Sequence, residues 1–389
     1  MILIASISTT IFWGGALLLI YVYWGYGVLL GLLAGWRRRE PPRPEFASGT
    51  WPSVAVLLTV HNEERTVGRR LENLIAQDYP ADRMEIVVAS DGSTDRTEDI
   101  VETWARGRPV RLLRSARLGK SAAQNAAMNT VQADIVVLTD SEALFDPACI
   151  RAMVAEFAAP TVGCVTAQLR NIGAEGDIGR SQSLYWSYEL QLRALESRLG
   201  ILAVASGSAM ALRRSLFRAL PTFVGDDCII PLEVVSQGYR VTHCSAALAY
   251  DHMPDSEAEA LRTRTRMTMR NWTGTWLFAC LLNPLRHPGY AFALWSHKLL
   301  RWLGSWVLVA MALAAAGMAA TSGATPSVVI FAAFMAAGAL GWWCARRGRS
   351  LPLAGTAYAF LFANLGFLLG IAKAARGDQV HAYRSRVGS

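Results

Sequence analysis

Two acidic residues follow an apolar run in the segment IVVLTDSEALF, which extends from Ile135 to Phe145. The apolar run is typical of a buried strand, and Asp140 and Glu142 come directly after it. On an extended chain, residues i and i+2 point to the same side, so the two carboxylates could converge on one point. Converging carboxylates repel one another unless a cation or a shared proton lies between them. Taken alone, this fragment is more typical of a strand that ends in water than of a cation site.

Apolar runs and helical repeats alternate over the middle of the chain. The run VAVLLTV over 54–60 and the run MEIVVAS over 84–90 are typical of strands that are buried on both faces. Segments with helical spacing cover residues 63–77, 94–106 and 120–131. Strands that alternate with helices predict an α/β fold with a doubly wound, mostly parallel sheet.

Polar residues follow three of the predicted strands. They are His61, Asn62 and Glu63 after the first strand, Asp91, Gly92 and Ser93 after the second, and Asp140, Ser141 and Glu142 after a later one. Each cluster alone could be structural, because Asp-Gly is a good turn pair. Ligands of such sheets bind beyond the carboxyl ends of the strands, so three clusters on one edge indicate a binding site.

Apolar segments flank this middle region. Hydrophobic residues make up 52% of the 389-residue chain, and the excess is concentrated in a few runs. Residues 2–36 contain no charged side chain, which is longer than the roughly 20 residues that span a bilayer. We expect a retained membrane helix there, because a basic region and a cleavage region typical of a signal peptide are absent.

The sequence therefore predicts a soluble domain that is inserted between membrane segments. The predicted units are an N-terminal transmembrane helix (1–36), a basic, proline-rich linker (37–50), the soluble domain (51–255), amphipathic interface helices (256–300), about three C-terminal transmembrane helices (301–376) and a polar tail (377–389).

Basic residues beside the apolar segments predict the orientation. Arginines follow the first segment over 37–43, and Arg286, Lys298 and Arg301 precede the second, so the positive-inside rule places the soluble domain in the cytoplasm. The uncharged connection TSGATPS would then lie outside. Basic residues of the tail would also end outside, which leaves open whether the last segment crosses the membrane.

The net charge and the cysteines argue against a nucleic-acid partner, structural zinc and disulfides. The net charge of +8 is explained mostly by the flanks of the membrane segments, near anionic lipid, so it does not indicate a nucleic-acid partner. The six cysteines show no CxxC or histidine-paired spacing, and a cytoplasmic domain is in a reducing environment. The sequence therefore favours neither structural zinc nor disulfides.

Six sequence blocks occur in an order that resembles family 2 glycosyltransferases with the GT-A fold. The blocks are VAVLLTVHNEE, VVASDGSTDRT, GKSAAQNAAM, VVLTDSEALF, ASGSAMALRR and GDDCIIPLEVVSQGYRV. The membrane layout is similar to that of the polysaccharide-synthase branch, which includes poly-N-acetylglucosamine, hyaluronan and cellulose synthases. The resemblance covers about residues 51–272, and it implies a multi-pass protein of the bacterial inner membrane with a cytoplasmic catalytic domain.

The resemblance implies a nucleotide site and a metal site at the edge of the sheet. By resemblance, His61, Glu63 and Asp91 hold the base and ribose of a nucleotide sugar. Lys120 resembles a family lysine near the nucleotide, although a solvated lysine at a helix start is the structural alternative. Asp140 and Glu142 would bind Mg²⁺ or Mn²⁺ against the diphosphate, because hard cations prefer oxygen ligands. Glu142 stands where the family usually has aspartate.

The resemblance also implies a catalytic base. Asp226 and Asp227 stand where the family carries Glu-Asp, and the second acid is the expected base. A carboxylate near the anomeric carbon can accept the proton of the attacking hydroxyl. The displacement would invert the anomeric centre. The structural alternative is a pair of acids that caps the following helix.

The acceptor site is implied by two further blocks. Gly207 belongs to ASGSAMALRR and is expected beside the acceptor. The segment RTRTRMTMRNWTG resembles, with departures, the Gln-x-x-Arg-Trp pattern of processive synthases. Arg270 could bind the diphosphate bidentately and Trp272 could stack on an acceptor sugar. Met267 stands where glutamine is expected, which leaves processivity open.

The resulting hypothesis is an inverting, metal-dependent transfer of sugar from a UDP-sugar to a growing β-linked exopolysaccharide or capsule at the membrane. Its partners would be the donor, a glycan or lipid-linked acceptor, the bilayer, and export or regulatory subunits. The alternative is the transfer of one sugar to a polyprenyl-linked glycolipid. A hypothesis of another class is a catalytically silent, nucleotide-binding membrane subunit, against which the complete set of acids argues. A transporter is disfavoured because the apolar segments contain neither a buried charge pair nor an internal repeat.

Overall fold

The computed structural model describes residues 2–36, 46, 50–172, 176–252, 256–323, 325–349 and 351–378, with only the backbone of 171, 176–185 and 252. The predicted linker over 37–50 and the predicted tail over 377–389 lie almost entirely outside these residues.

Eight strands in the described residues form one sheet. The strands are β1 (Val54–Val60), β2 (Met84–Asp91), β3 (Val110–Ser115), β4 (Ile135–Thr139), β5 (Leu144–Phe145), β6 (Val162–Ile172), β7 (Ala209–Arg213) and β8 (Arg240–His252). The α-helices are α1 (Ile2–Ile20), α2 (Tyr26–Trp36), α3 (Val67–Ile75), α4 (Thr97–Ala105), α5 (Lys120–Met128), α6 (Cys149–Ala155), α7 (Gly176–Leu199), α8 (Asp226–Ser236), α9 (Glu257–Leu277), α10 (Pro288–Ala293), α11 (Leu300–Ser322), α12 (Pro326–Ala345) and α13 (Pro352–Ala375).

The strand order is β3-β2-β1-β4-β7-β6-β8-β5. Strands β3, β2, β1 and β4 are all parallel, as predicted. The other half of the sheet is mixed, because β7 is antiparallel to both β4 and β6 whereas β6 and β8 are parallel. The chain moves from β1 outward to β2 and β3 and then returns to the other side of β1 at β4. This reversal creates a crevice at the carboxyl ends of β1 and β4, where ligands of α/β sheets bind.

Strand β1 is buried on both faces of the sheet. Leu57 and Leu58 are fully buried, and they belong to two different hydrophobic clusters because successive side chains of a strand point to opposite faces. On one face, Leu57 packs with Ala123 of α5, and on the other face Leu58 packs with Leu71 of α3. The two layers of helices explain why β1 is a continuous apolar run rather than an alternating one.

Four helical segments in the described residues are long and apolar enough to cross a membrane. They cover Ile2–Trp36, Pro288–Ser322, Pro326–Ala345 and Pro352–Ala375. One such segment therefore precedes the sheet domain and three follow it, as predicted. The second segment begins at Pro288, within the region that was predicted to be interfacial. Its early charged residues, His297, Lys298 and Arg301, are accommodated because they pair with carboxylates of α7.

A π-helical turn interrupts each of the first two apolar segments. One turn covers Tyr21–Gly25 between α1 and α2, and the other covers Leu294–Leu299 between α10 and α11. The hydroxyl groups of Tyr21 and Ser296 lie 2.8 Å apart, so the two turns contact one another. The first apolar segment therefore contacts the second at these two turns.

Candidate active site

A cavity of about 410 Å³ lies at the carboxyl edge of β1, β2 and β4. Ten of the eleven residues that the sequence predicts for the site line this cavity. They are His61, Glu63, Asp91, Lys120, Asp140, Glu142, Gly207, Asp226, Asp227 and Arg270. A smaller cavity of about 140 Å³ near Leu216 and Pro221 contains none of them. The structure thus brings together residues that are separated by up to about two hundred positions in the sequence.

The loops after β1 and β2 are tied to one another. His61 Nδ1 lies 2.9 Å from the backbone oxygen of Asp91, and because a carbonyl oxygen only accepts, Nδ1 carries the proton. Asn62 has a positive φ of 54° and its side-chain oxygen accepts the backbone N–H of Thr94 at 2.8 Å. The Glu63 carboxylate accepts from Thr66 Oγ1 at 2.5 Å. The loops therefore hold His61 and Glu63 at the cavity wall before any ligand is bound.

Asp91 organises the loop that precedes α5. Its Oδ1 accepts the backbone N–H groups of Leu118 and Gly119, both at 2.8 Å, and its Oδ2 accepts from Arg117 at 2.9 Å. Gly92 adopts a φ of +63°, and a Cβ there would lie 2.8 Å from the backbone nitrogen of Arg117. Asp91 is buried and already accepts three hydrogen bonds from the protein. A direct contact of its carboxylate with a nucleotide stays a prediction.

Lys120 joins the end of β4 to the start of α8. Its Nζ lies 2.7 Å from Asp140 Oδ1 and 2.9 Å from Asp226 Oδ2. Burial opposes the charged form of the lysine, but Asp140 and Asp226 outweigh burial and raise the pKa of Lys120. Gln124, one turn further along α5, also donates to Asp226 Oδ2, at 2.9 Å. Helix α5 therefore begins with a permanent positive charge between two acids.

Asp140 and Glu142 are suited to be part of a divalent-metal site. Their carboxylates supply the hard oxygen ligands that Mg²⁺ and Mn²⁺ accept. In the described part of the chain, no three His, Cys, Asp or Glu side chains are grouped so that they alone could hold a metal ion. A cation at Asp140 would therefore take its remaining ligands from water and from phosphate oxygens, as is usual for Mg²⁺ at nucleotide sites. The residues present fit such a shared site.

Asp226 and Asp227 occupy the first turn of α8. Gly225 precedes them, and a Cβ on this glycine would overlap Asp227 Oδ1. A Cβ on Gly207 would lie 3.5 Å from Asp226 Oδ1 and 3.5 Å from Asp227 Cβ, so Gly207 leaves open space beside both acids. Acidic groups at a helix N-terminus are also favoured by the helix dipole.

The two acids of α8 differ in electrostatic environment. Burial disfavours the charged form of Asp226, but Lys120 and Gln124 hold its pKa below the usual value. Burial and the neighbouring Asp226 carboxylate raise the pKa of Asp227, against the opposing charge of Arg270. Asp226 is therefore a fixed anion in an ion pair, and Asp227 is the more basic carboxylate of the two. This difference distinguishes the two acids, which sequence alone could not do on physical grounds.

Arg270 lies on α9 and lines the cavity. Its Nη2 donates to the backbone oxygen of Val224, and its Nε is buried without a hydrogen-bond partner among the described residues. A buried guanidinium N–H without a partner is costly, so an anionic ligand in the cavity would stabilise it. Arg270 is placed where a diphosphate could supply that partner.

Trp272 is the predicted site residue that does not line the cavity. It packs against the hydrophobic core, with its ring centroid 5.8 Å from that of Trp276 and 6.3 Å from that of Trp302. Trp302, on α11, lines the cavity instead. Arg270 lines the cavity, and a residue two positions further along a helix points to a different face. Trp272 therefore points away from the face that carries Arg270.

Sequence reasoning missed a group of residues at the end of the cavity nearest the apolar helices. Trp186, Glu189 and Arg193 of α7 line this end together with Lys298 and Trp302. A signal for them was present in the charged residues that precede an apolar run in SHKLLRWL. Their partners on α7 are about a hundred positions away in sequence, which no local pattern indicates.

Glu189 is the centre of a buried ion cluster. Its carboxylate accepts from His297 Nε2, Lys298 Nζ and Arg301 Nη1, each at 2.8 Å, and from Arg193 Nε at 3.2 Å. Burial disfavours the charged carboxylate, but His297 and Lys298 outweigh burial and hold the pKa of Glu189 well below the usual value. The cluster fixes α7 to the second apolar segment.

Glu196, two turns after Glu189, links the same cluster to the first apolar segment. Its Oε1 accepts from the Tyr26 hydroxyl at 2.7 Å and lies 2.7 Å from His297 Nδ1. Helix α7 is thereby held to both α2 and the second apolar segment. All three side chains are buried, so these contacts are protected from water.

Comparisons with known proteins match part of the chain to a recognised family. Residues 55–220 match the family model described as Glycosyl transferase family 2. A beta-monoglucosyldiacylglycerol synthase of Synechocystis is 35% identical over 119 residues, which are 30% of this chain and 25% of that protein. An N-acetylglucosaminyltransferase of Sinorhizobium fredii is 27% identical over 258 residues, which are 61% of this chain and 62% of that protein. The chain thus matches less than two thirds of the length of these curated relatives.

A solved structure has the same fold over nearly the whole chain. It is the mannosyltransferase PcManGT from Pyrobaculum calidifontis in complex with GDP-Man and Mn²⁺. It is 24% identical in sequence, with a TM-score of 0.72, and the match covers 97% of this chain and 99% of that chain. The expected GT-A type of sheet domain between apolar helices is confirmed by this likeness together with the family model.

Proposed function

We propose that this chain, whose residues 55–220 form a family 2 glycosyltransferase domain, transfers a sugar from a nucleoside diphosphate sugar to an acceptor hydroxyl with inversion. The observation that carries the proposal is the ion pair of Lys120 with both Asp140 and Asp226. This ion pair supports the proposal because it joins two residues of the predicted donor site, and the predicted base Asp227, next to Asp226 in sequence, lines the same cavity.

The donor would lie along the carboxyl ends of β1, β2 and β4. His61 and Glu63 line the part of the cavity that suits the base and ribose, and Lys120 and Arg270 supply positive charge for the diphosphate. A divalent cation held through Asp140 and Glu142 would neutralise charge on the leaving diphosphate. The solved mannosyltransferase of the same fold contains GDP-Man and Mn²⁺, and we extend both classes of ligand to this chain as part of the proposal.

Asp227 would act as the general base. The acceptor oxygen attacks the anomeric carbon from the face opposite the diphosphate, and its proton passes to the Asp227 carboxylate. The bond between the anomeric carbon and the diphosphate oxygen breaks, and the nucleoside diphosphate leaves. A donor with an α linkage would therefore give a β-linked product. Asp226 remains paired with Lys120 throughout and keeps the base close to the donor.

The acceptor would approach from the apolar helices. Lys298 and Trp302 of the second apolar segment and Phe367 of α13 line the same cavity as Asp227. A single cavity that reaches from the donor edge to two membrane segments favours an acceptor that is anchored in the bilayer. We therefore propose transfer at the membrane face of the cytoplasmic leaflet, in the orientation that the basic flanks predict.

A second candidate function is the elongation of a β-linked polysaccharide. The layout of the sequence blocks supports this function, whereas Trp272 does not line the cavity and so offers no surface there for stacking on a sugar. Product length separates the two functions. With one labelled donor, elongation gives long polymer and single transfer gives one new glycolipid.

The donor class can be tested with the full chain in membranes. A panel of UDP- and GDP-sugars is supplied, and the released nucleoside diphosphate is measured with and without Mg²⁺ or Mn²⁺. Turnover of at least one donor, with a product that contains the sugar, is the expected result. Absence of turnover across the panel, from a protein that is inserted and binds a nucleoside diphosphate, would favour the silent nucleotide-binding subunit.

Replacement of Asp140 should remove metal-dependent turnover. We expect Asp140→Asn to lower the rate by roughly 100-fold or more, because metal stabilisation of a leaving phosphate is worth several kcal/mol. The measurement is initial rate against Mn²⁺ concentration. Asp82→Asn is the matched control, because Asp82 is an exposed acid outside the cavity, with 82% of its side chain accessible. Full activity of the unchanged protein in excess chelator would exclude the metal assignment.

A further inference from the structure

The buried ion cluster around Glu189 contains more cations than carboxylates. His297 lies between Glu189 and Glu196, and both of its ring nitrogens face carboxylate oxygens. Arg193, Lys298 and Arg301 also contact Glu189. Of the described residues in this cluster, three therefore carry an arginine or lysine cation, whereas the carboxylates are those of Glu189 and Glu196.

An excess of buried positive charge requires compensation. Charges that are removed from water are stable only when opposite charges or several hydrogen bonds replace the lost hydration. Two of these cations are not enclosed on all sides, because Arg193 and Lys298 line the cavity together with Glu189. An anion in the cavity could therefore reach both of them.

Both ends of the cavity carry basic residues. At the donor end, Lys120 and Arg270 lie among the carboxylates that line the cavity. At the end nearest the apolar helices, here called the basic end, Arg193 and Lys298 line the cavity with Glu189, and Trp302 and Phe367 line it as well. Arg264, whose guanidinium carbon lies 5.6 Å from the centre of the Phe367 ring, adds a further positive charge. The basic end contains more cations than carboxylates and thus suits an anion.

The basic end belongs to the same cavity as the proposed base, because Arg193 and Asp227 both line it. The guanidinium of Arg193 lies 6.0 Å from the ring centre of Trp186, which lines the same end. A ligand held by Arg193 would therefore share the cavity in which the acceptor hydroxyl loses its proton.

We propose that Arg193 and Lys298 bind a phosphate group of the acceptor, which is a lipid whose phosphorylated head group presents the attacking hydroxyl. The proposal rests on the proposed function, since it takes the reacting hydroxyl to be at Asp227. Guanidinium and ammonium groups match the oxygens of a phosphate, and the apolar tail leaves beside Trp302 and Phe367. Glu189 holds the two cations in position when the acceptor is absent.

Two lipid sources share this chemistry. One is a glycerophospholipid whose head group carries a hydroxyl, and the other is a sugar that is linked to a polyprenyl diphosphate. Both present a phosphate and a hydroxyl at the membrane surface and both lead the chain into the bilayer. A neutral diacylglycerol presents a hydroxyl but no phosphate, so it is the informative contrast.

The first test measures binding without chemistry. The full chain in nanodiscs of phosphatidylcholine is titrated with dodecyl phosphate, and the neutral detergent dodecyl maltoside serves as the comparison. We expect saturable binding of dodecyl phosphate only. Lys298→Gln and Arg193→Gln should each weaken it about tenfold, as expected for the loss of one charge-assisted hydrogen bond. Equal binding by the unchanged protein and both variants, or no binding, would overturn the proposal.

Matched variants distinguish a role of the cluster in helix packing from a role in phosphate binding. Arg198→Gln removes an arginine from the same helix, where it donates to the backbone oxygen of Ala34 outside the cavity, and it should leave dodecyl phosphate binding unchanged. Lys298→Arg keeps the charge and should restore most of the binding lost in Lys298→Gln. Binding that falls in parallel with the thermal midpoint across all four variants would assign the cluster to helix packing alone.

The second test identifies the acceptor. Nanodiscs that contain phosphatidylglycerol, a polyprenyl diphosphate-linked sugar or diacylglycerol are supplied with the donor that turns over. We expect transfer to one of the phosphate-bearing lipids, inhibition by dodecyl phosphate, and a raised acceptor KM in Lys298→Gln with the donor KM unchanged. Equal transfer to diacylglycerol in the presence of dodecyl phosphate would overturn the proposal. If no donor turns over but dodecyl phosphate binds as expected, the proposed function fails while the phosphate site stands.

Discussion

Asp227→Asn is expected to abolish sugar transfer while it leaves the affinity for the nucleoside diphosphate nearly unchanged. A positioned general base contributes about 100- to 10,000-fold to a rate, and asparagine cannot accept the proton of the attacking hydroxyl. Asparagine has almost the same shape, so Gly225 and Gly207 still accommodate it. The measurement is the rate of transfer beside calorimetric titration of UDP and GDP.

Asp226→Asn is the matched comparison for that variant. Asp226 is paired with Lys120 and Gln124, so its loss should disturb the site without removing the base. The rate should therefore fall less than in Asp227→Asn. An inactive Asp226→Asn together with an active Asp227→Asn would show that the other member of the pair is the base.

The pH dependence follows from the environment of Asp227. Burial and Asp226 raise the pKa of Asp227, and a general base works only when it is deprotonated. The transfer rate should fall as the pH decreases through that raised pKa, above the range of an ordinary aspartate. In Asp226→Asn the neighbouring negative charge is absent, so the fall should move to lower pH.

Glu189→Gln is expected to destabilise the protein strongly. Removing one partner of a buried ion pair typically costs about 3–5 kcal/mol, because the remaining charge is left without compensation. Here three cations and His297 face the carboxylate, and all of their contacts with it are at 3.2 Å or less. The measurement is the thermal midpoint of the purified chain in detergent.

The exposed Glu72→Gln on α3 is the control for that substitution. It should leave the midpoint unchanged. A double variant, Glu189→Gln with Lys298→Met, should recover part of the loss because it also removes one of the uncompensated charges. A midpoint of Glu189→Gln equal to that of the unchanged protein would contradict the assignment of Glu189 as the centre of the cluster.

The contribution of Glu189 to the stability of the folded protein should decrease at acid pH. The pKa of Glu189 is lower in the folded protein than in the unfolded chain, so the folded state binds this proton less readily. The stabilisation is complete above the unfolded pKa of a glutamate and is lost as the pH falls through the depressed folded pKa. Glu189→Gln should therefore flatten the dependence of the thermal midpoint on acid pH.

The donor edge of the site could be predicted from sequence because its signals are local. Each cluster follows a short apolar run, so His61, Asp91 and Asp140 mark strand ends whatever the rest of the chain does. The reversal of strand order at β1 then brings these ends together by a general rule of α/β sheets. For these residues, pattern and topology are sufficient.

The end of the cavity nearest the apolar helices could not be predicted in the same way. Glu189 lies 108 positions from His297 and 112 from Arg301, and neither segment alone indicates the other. The pairing depends on how α7 packs against the apolar helices. For the same reason the sequence did not indicate that the helical segment before residue 301 is continuous with the second apolar segment, because Lys298 is typical of an interfacial charge until its buried partner is known.

The strand directions in the mixed half of the sheet also could not be predicted from local sequence patterns. Strand β7 is short and lies between β4 and β6 in the opposite direction, although its sequence AMALR has no feature that fixes direction. Its position is set by contacts with both neighbours. Ser206 to Ser208 precede it and reach the cavity edge as a result.

The two π-helical turns determine where the length of the first helix can change. A π-helical turn contains one residue more than an α-helical turn, so deletion of a single residue from Tyr21–Gly25 would restore a regular helix with almost the same rotation between its two ends. A residue deleted from the regular turns of α1 would instead rotate every following residue by about 100° relative to the preceding ones. Tyr26 would then no longer face Glu196 if the start of α1 kept its place. The phase of the first helix, rather than its apolar composition, is therefore what links the apolar segments to the sheet domain.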